Sequence, residues 1–128
     1  MLKCGVDVAR STVAVFGLTF KENCPDIRNS KVVDLIKELE SWNVKVEVVD
    51  PWADTADVKS EYGINLINRE NLYGISAIIV AVGHNEFREL SIEEFRTICI
   101  SKRPVFGDLK SIYEKDALSN AGFEVFRL

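Results

Sequence analysis

"TVAVFGLTFKENCPDIRNSKVVDLIKELESWNVKVEVVDP", residues 12–51, decides the fold class, because its pattern predicts a strand, a helix and a second strand. Residues 12–18 form a short apolar run that ends at a glycine, which is typical of a buried strand. Residues 30–43 carry apolar side chains on one helical face and charged side chains on the other. Residues 44–51 predict a second strand, which stops at the Asp-Pro pair because proline cannot donate to a ladder.

The same alternation of strand and helix continues to the end of the chain. Residues 76–83 are its most apolar run and predict a central strand. The other segments predict helices at 53–63, 91–99 and 111–122, a candidate short edge strand at 64–67, and strands at 103–109 and 123–128. Strands that are apolar on both faces indicate a mostly parallel sheet covered by helices on each side. The prediction is one α/β domain with a three-layer α/β/α, doubly wound, Rossmann-like fold of five to six strands.

Several helix boundaries carry signals of their own. Ser91 and Glu94 have the spacing of a capping box at the start of a helix. Asn29 or Ser30 can cap the start of the first helix, and Asn43 can close its end. These signals support the predicted helices.

Composition excludes several classes of protein. The 128 residues suit one domain, and the net charge of −4 argues against a general nucleic-acid or membrane surface. No apolar run approaches the roughly 18 residues of a membrane span, and residues 1–10 are too polar for a signal peptide. The three cysteines are far apart, and the single histidine cannot build a histidine-rich metal site. We therefore expect a cytoplasmic protein in a reducing setting, with no metal, no membrane contact and no nucleic acid.

Strand order decides where a ligand can bind. In an open parallel sheet, ligands lie beyond the carboxyl ends of the strands, where the strand order reverses. The predicted strand order is 3-2-1-4-5, in which the candidate strand at 64–67 counts as the third. The first strand (12–18) and the fourth (76–83) are then neighbours, and the fifth (103–109) follows. The loops after these three strands meet at one edge of the sheet. Lys21, His84 and Lys110 lie in those loops. They predict a basic crevice suited to a phosphate that is held by side chains.

This crevice differs from a dinucleotide site. It lacks the G-x-G-x-x-G fingerprint whose glycines let the backbone approach a pyrophosphate. Asp50 ends the second strand, where a Rossmann acid holds a ribose. Without the glycines, however, a turn at Asp50-Pro51 is the favoured interpretation.

The cationic candidates also have structural interpretations. Lys21 and Lys110 are explained equally well as solvated surface lysines and as ligand contacts. Asp26 and Arg28 are two residues apart near a helix start, so a local salt bridge is favoured over a ligand site.

The two candidate catalytic side chains have structural interpretations as well. Cys24 has no base near it in sequence, and burial beside Pro25 is favoured over a nucleophile. His84 is the only candidate general base, but a lone histidine after a central strand is more often a hydrogen-bonded structural residue.

"GLTFKENCPDIRNSKVVDLI", residues 17–36, closely resembles the start of the carboxy-terminal, UDP-binding domain of the UDP-glucose/GDP-mannose dehydrogenase family. The family pattern there runs roughly G-x-x-F-K-x-(N/D)-x-x-D-x-R-x-S. "DPWAD" (50–54), "AVGHNEF" (81–87) and "GDLK" (107–110) resemble later family landmarks in the right order. The pattern is matched at Gly17, Phe20, Lys21, Asn23, Asp26, Arg28 and Ser30.

The resemblance implies a part of a larger enzyme. Such enzymes have an amino-terminal NAD domain, a central dimerisation region and this last domain. They oxidise the sugar C6 alcohol to a carboxylate in two NAD-dependent steps, through a thioester on a cysteine of the central region. Residues 11–128 would be the UDP-sugar-binding C-terminal domain, and residues 1–10 a short lead-in from a missing upstream region. This chain alone would hold no catalytic residue and be inactive, and the full-length protein would be a homo-oligomer.

The segments "TFKENCPDIRNSK" and "DPWA" look most like the sequences of the branch that oxidises UDP-N-acetylhexosamines for capsule and O-antigen polysaccharides, including the Vi-antigen type. Phe20 and Lys21 resemble the pair that lines the UDP-sugar site. Arg28 resembles the arginine that reaches across the cleft towards NAD. Lys110 stands where many relatives carry an arginine that contacts the nucleotide. His84 matches a family position without a defined role and is a candidate site-lining residue.

Two other functions fit the residues. One is a stand-alone nucleotide-binding or regulatory module without enzymatic activity, and the other is a scaffold domain for oligomer contacts. The coding sequence upstream of Met1 discriminates between them and the enzyme: a glycine-rich Rossmann segment with a catalytic-cysteine segment favours the dehydrogenase.

Overall fold

Strand and helix alternate along the chain, as the sequence pattern predicts. The computed structural model describes residues 12–19, 23–28, 30–100, 104–110 and 112–126. The elements in these ranges are β1 (Thr12–Phe16), α1 (Lys31–Ser41), β2 (Lys45–Val49), α2 (Thr55–Tyr62), a 3₁₀ turn (Arg69–Asn71), β3 (Ala77–Val80), α3 (Asn85–Arg88), α4 (Ile92–Thr97), β4 (Val105–Asp108), α5 (Lys115–Asn120) and β5 (Glu124–Phe126).

The strands form one sheet in the order β2-β1-β3-β4-β5, and every neighbouring pair is parallel. The predicted α/β class is therefore confirmed. The predicted fourth strand, at 76–83, is β3 of the structure, and its predicted adjacency to β1 is confirmed as well. The candidate edge strand at 64–67 contributes only an isolated bridge between Leu66 and Val48. The described part of the sheet has five strands.

Both faces of the sheet are buried, because side chains alternate along each strand and both sets are apolar. Val13 and Val15 of β1 point to the layer formed by α1 and α2, whereas Ala14 and Phe16 point to the layer formed by α3, α4 and α5. The second layer contains edge-to-face phenylalanine pairs with centroids 5.1–5.2 Å apart, including Phe16–Phe87, Phe16–Phe95, Phe95–Phe106 and Phe106–Phe123. The chain changes layer between β1 and β3, which is the switch point of the fold.

Helix boundaries follow the predicted signals with one exception. The Ser91 hydroxyl accepts a hydrogen bond from the N–H of Glu94 (3.1 Å), and Asn43 adopts a left-handed φ of 62° after α1. Ser30 stands at the N-cap of α1, but its hydroxyl donates to the carbonyl of Leu18 (2.5 Å) instead of capping the helix. The sequence pattern did not predict α3, because a four-residue helix is too short to show a period.

Gly17 allows β1 to turn against the loop after β3. Its φ is +104°, and a Cβ at this position would lie 2.6 Å from the Cβ of Val82. Its N–H donates to the carbonyl of Val49 (2.8 Å), which keeps the turn in line with β2. A side chain would meet both a strained backbone and a filled space.

Candidate functional site

The carboxyl ends of β1, β2 and β3 meet at the carboxylate of Asp50, whose side chain is completely buried. Its Oδ2 accepts from the N–H groups of Leu18 (2.7 Å) and Thr19 (3.1 Å) and from Nε2 of His84 (3.0 Å). Its Oδ1 accepts from the backbone N–H groups two and three residues further on (2.7 and 3.0 Å). The turn expected at Asp50-Pro51 is confirmed, and the same carboxylate also joins three strand ends.

The hydrogen bonds of Asp50 decide its charge. Burial by itself would raise the pKa of the Asp50 carboxyl, but the hydrogen bonds from His84 and from the N–H groups of Leu18 and Thr19 outweigh burial and lower the pKa. The carboxylate is therefore ionised at neutral pH. Both of its oxygens are occupied by protein groups.

His84 is completely buried and links the loops after β1 and β3. Its Nδ1 accepts from the N–H of Asn23 (2.8 Å), and its Nε2 lies 3.0 Å from Asp50 and 3.1 Å from Thr19 Oγ1. The Trp52 ring stacks over the imidazole at 6.1 Å with an interplanar angle of 27°. These contacts confirm the interpretation of His84 as a hydrogen-bonded structural residue. Its ring contacts protein groups and has no surface to offer a ligand, so the structure does not support a site-lining role.

The loop after β1 is held at both of its described ends. At the start, Leu18 and Thr19 donate to Asp50. At the other end, Asn23 donates to His84 through its N–H, and its Oδ1 accepts from the N–H of Asn85 (2.9 Å). Residues 20–22, among them the predicted ligand contacts Phe20 and Lys21, lie outside the described residues.

The turn after β4 presents Lys110 at the same edge of the sheet. Asp108 ends β4, is completely buried, and accepts from the N–H groups of Ile112 (3.1 Å) and Tyr113 (2.8 Å). These bonds shape a turn whose tip, Lys110, is exposed. Among the described residues, Lys110 has no ion-pair partner. A cation is therefore available at the carboxyl edge.

Arg28 forms the local salt bridge that its spacing predicts. Its Nε and Nη2 donate to the two carboxylate oxygens of Asp26 (3.0 and 3.1 Å), and its N–H donates to the same side chain (2.9 Å). The hydrogen bond to Asp26 raises the pKa of the Arg28 guanidinium further above its usual value. The Arg28 side chain remains 84% exposed, so the pair leaves the guanidinium open to solvent.

A cleft of about 480 Å³ lies beside this edge, between β2, the 3₁₀ turn and α3. Its apolar wall includes Val49, Ile67, Phe87 and Leu90, and its polar rim includes Arg69, Glu86, Glu89 and Glu94. Arg69 is 3.5 Å from Glu94, so the one arginine of the rim faces a carboxylate. The rim is acidic and therefore unsuited to a phosphate. The sequence pattern did not reveal this cleft, because α3 forms one of its walls.

Within the described residues, no group of three or more metal-ligating side chains could hold a metal ion. No helix in the ranges that the structure describes has the length and apolar character needed to cross a membrane. Cys24 is a half-buried free thiol, so its burial is only partial.

Comparison with known proteins identifies the family. The model of the UDP-glucose/GDP-mannose dehydrogenase family, UDP binding domain, matches residues 14–115. The chain is 43% identical over 88% of its length to a UDP-N-acetyl-D-glucosamine 6-dehydrogenase of Salmonella typhi, covering 26% of that protein. It is 40% identical over 91% of its length to the Pseudomonas aeruginosa enzyme of the same name, covering 27% of it. Over its whole length it is 38% identical to protein CapL of Staphylococcus aureus, covering 30% of that protein.

Solved structures share the fold. An NDP-N-acetyl-D-galactosaminuronic acid dehydrogenase from Methanosarcina mazei superposes with a TM-score of 0.88 at 22% identity, over 98% of this chain and 26% of its own. The chain thus spans about a quarter of the length of the relatives that it matches. The family match covers the strand ends and loops that form the carboxyl edge. The chain belongs to the UDP-glucose/GDP-mannose dehydrogenase family and carries its UDP binding domain.

Proposed function

We propose that this chain is the C-terminal domain of a longer NAD-dependent UDP-N-acetylhexosamine 6-dehydrogenase, in which it forms one wall of the substrate site. The full-length enzyme oxidises the C6 alcohol of the sugar to a carboxylate for capsule or O-antigen polysaccharide. The observation that carries the proposal is the 43% identity over 88% of the chain to a UDP-N-acetyl-D-glucosamine 6-dehydrogenase. An amino-terminal NAD domain, a central dimerisation region and a homo-oligomeric assembly belong to the same proposal.

The charge distribution at the carboxyl edge of the sheet supports the proposal that this edge forms the wall of the substrate site that binds UDP. Lys110 is exposed in the turn after β4, and Phe20 and Lys21 belong to the loop whose flanks, Thr19 and Asn23, are tied to that edge. Two lysines in these loops suit a diphosphate, since each provides a compact positive charge. The neighbouring cleft has an acidic rim and repels the same group.

The switch point of this domain does not fit NAD. Both oxygens of Asp50 are occupied by protein groups, so no acceptor remains for a ribose hydroxyl. The loops after β1 and β3 are hydrogen-bonded to each other through Asn23, His84 and Asn85, near the place where a dinucleotide domain binds its pyrophosphate. We therefore assign NAD mainly to the remainder of the longer protein. The exposed guanidinium of Arg28 is the group of this chain that we expect to reach towards it.

The proposal includes a reducing, cytoplasmic setting. Cys24 and Cys99 are free thiols, which such a setting maintains. This location also suits the supply of NAD and UDP-sugars to a biosynthetic enzyme.

Titration of the ¹⁵N-labelled chain with UDP, followed by NMR, tests the UDP wall. We expect shifts in the loops after β1 and β4 and a Kd near millimolar, about −4 kcal/mol, because one wall leaves much of the ligand in water. Lys21→Ala and Lys110→Ala should each weaken binding, and raised salt should mimic part of the loss. Lys45→Ala is the matched control, since it removes the same charge at the amino end of β2, on the opposite edge of the sheet.

Two results would contradict the proposal. Equal weakening by Lys45→Ala and Lys21→Ala would mean that UDP senses only net charge. NAD-dependent oxidation of a UDP-sugar by this chain alone would contradict the division of labour with the rest of the protein.

A further inference from the structure

Trp52 lies at the carboxyl edge of the sheet, in the turn that Asp50 begins. One face of its indole stacks on the imidazole of His84, with the ring centroids 6.1 Å apart and an interplanar angle of 27°. Its Nε1 donates to Oε1 of Glu86 (2.9 Å), and its backbone N–H donates to Oδ1 of Asp50 (2.7 Å). The residue is nevertheless 36% exposed. The indole is therefore fixed in orientation and still presents an aromatic surface to water.

These contacts suit the indole to stack on a planar ligand. Exposure of an apolar ring to water is unfavourable, and a second planar ring that covers it removes this cost. Proteins that bind nucleic-acid bases commonly stack them on aromatic side chains in this way. Because His84 and Glu86 already hold the indole, little side-chain entropy remains to be lost when a base stacks on it.

Charge changes sign along the carboxyl edge. Beside Trp52, the rim of the cleft between β2 and α3 carries Glu86, Glu89 and Glu94, and the one arginine of this rim offsets one of these charges. In the turn after β4, Lys110 is exposed. A diphosphate is repelled from the first end and attracted to the second, whereas carboxylates do not repel an uncharged base. A nucleotide on this edge therefore places its base at the β2 end and its diphosphate at the β4 end.

The distance between the two ends suits a nucleotide. Val49 of β2 and Asp108 of β4 occupy the same register position, across β1 and β3. Three strand spacings of about 4.8 Å put these residues about 14 Å apart. Trp52 follows Val49 by three residues, and Lys110 follows Asp108 by two. An extended nucleoside diphosphate, with its base and its terminal phosphate at opposite ends, spans a distance of this order.

We propose that Trp52 is the stacking platform for the base of UDP, with the diphosphate directed towards Lys110. The inference rests on the proposed function and deepens it, because it assigns the base to one side chain and gives the nucleotide a direction along the edge. His84 and Glu86 contact the indole and serve as positioning residues for it.

Fluorescence tests the stack directly, because the chain has two tryptophans. Trp42 is the matched control, since it is 61% exposed, its Nε1 donates to Glu38 (3.2 Å), and it lies before β2, at the opposite edge of the sheet. Trp42→Phe leaves Trp52 as the one indole, and Trp52→Phe leaves Trp42. UDP should quench the emission of Trp42→Phe and leave that of Trp52→Phe unchanged. Inorganic pyrophosphate, which has no base, should quench neither.

Affinity separates stacking from a purely structural role. Trp52→Leu keeps an apolar cover over His84 but has no aromatic face. We expect its Kd for UDP to rise about fivefold, as for one weak base–aromatic stack, and its Kd for inorganic pyrophosphate to stay unchanged. Trp42→Leu should change neither Kd. In the unmodified chain, NMR should show the uracil protons of bound UDP shifted upfield by the indole ring current, and Trp52→Leu should abolish that shift.

The results of these measurements distinguish the inference from the proposed function. Equal losses of affinity for UDP and pyrophosphate in Trp52→Leu would reduce Trp52 to a structural residue and overturn the inference alone. UDP binding that leaves the emission of Trp42→Phe unchanged would do the same, and that measurement keeps Trp52 intact. Absence of UDP binding by the unmodified chain would overturn the proposed function together with the inference.

Discussion

Replacing Asp50 by asparagine should strongly destabilise the domain, although the two side chains have the same shape. The carboxylate accepts five hydrogen bonds, three at Oδ2 and two at Oδ1. An amide keeps one acceptor oxygen and brings two donor hydrogens to the place of the other. One group of backbone N–H donors must therefore face an NH₂ group.

The cost depends on which donors are left. With the amide oxygen towards Leu18 and Thr19, the NH₂ group faces the partly buried N–H groups of Trp52 and Ala53, which water can reach in part. The opposite orientation leaves two fully buried N–H groups, at about 1–3 kcal/mol each, and the first orientation should prevail. With the loss of charge-assisted bonds included, we expect about 2–4 kcal/mol, a large share of a typical free energy of unfolding of about 5–15 kcal/mol.

Urea denaturation followed by circular dichroism measures this loss. Asp54→Asn is the matched control, because Asp54 is an exposed N-cap of α2 that accepts from Asp57 N–H, and asparagine caps equally well. The control should change the free energy of unfolding by less than about 0.5 kcal/mol. A loss in Asp50→Asn below about 1 kcal/mol, no larger than that of the control, would refute the assignment of Asp50 as the junction of three strands.

The same carboxylate contributes to acid denaturation. Its pKa is lowered in the folded protein, so the unfolded chain binds the proton more tightly and stability rises with pH in this range. The contribution is complete above the unfolded value of about 3.9 and is lost as the pH falls through the lower, folded value. The difference in stability between the unmodified chain and Asp50→Asn should therefore shrink below about pH 4. A difference that stays constant from neutral pH to pH 3 would contradict the lowered pKa.

Two further predictions concern a turn and a thiol. Gly17→Ala should lower the free energy of unfolding by about 3 kcal/mol or more, because the new Cβ lies 2.6 Å from the Cβ of Val82 at a φ of +104°. Gly63→Ala is the control, since Gly63 has a φ of +70° and a Cβ there would meet nothing within 4 Å. It should lower the free energy of unfolding, measured by urea denaturation, by only about 1 kcal/mol. Burial raises the pKa of the Cys99 thiol to about 11, so alkylation at Cys99, followed by peptide mapping, should accelerate about tenfold per pH unit from pH 8 to pH 10. A rate that levels off between pH 9 and pH 10, as expected for an ordinary thiol with a pKa of about 8.5, would show that Cys99 is not held in this environment.

Local sequence was sufficient to predict most of the strands and helices and their arrangement in three layers. Apolar strands with both faces buried, such as β1, predict a parallel sheet because only helices on each side can cover them. The caps at Ser91 and Asn43 and the pair Asp26–Arg28 were also predictable, since each depends on residues at most four positions apart. The family motif predicted the UDP-binding function from contiguous residues.

Tertiary structure alone decided the contacts that shape the edge of the sheet. Asn23 and His84 are 61 residues apart, and Asp50 and Leu18 are 32 apart, so no local pattern predicts these hydrogen bonds. They exist because parallel pairing of β1 with both β2 and β3 brings three strand ends within a few ångströms of one another. Buried polar groups must then find partners among whatever side chains the strand order places beside them. A local sequence specifies a strand or a turn, but the low dielectric of a shared edge determines which distant groups must bond.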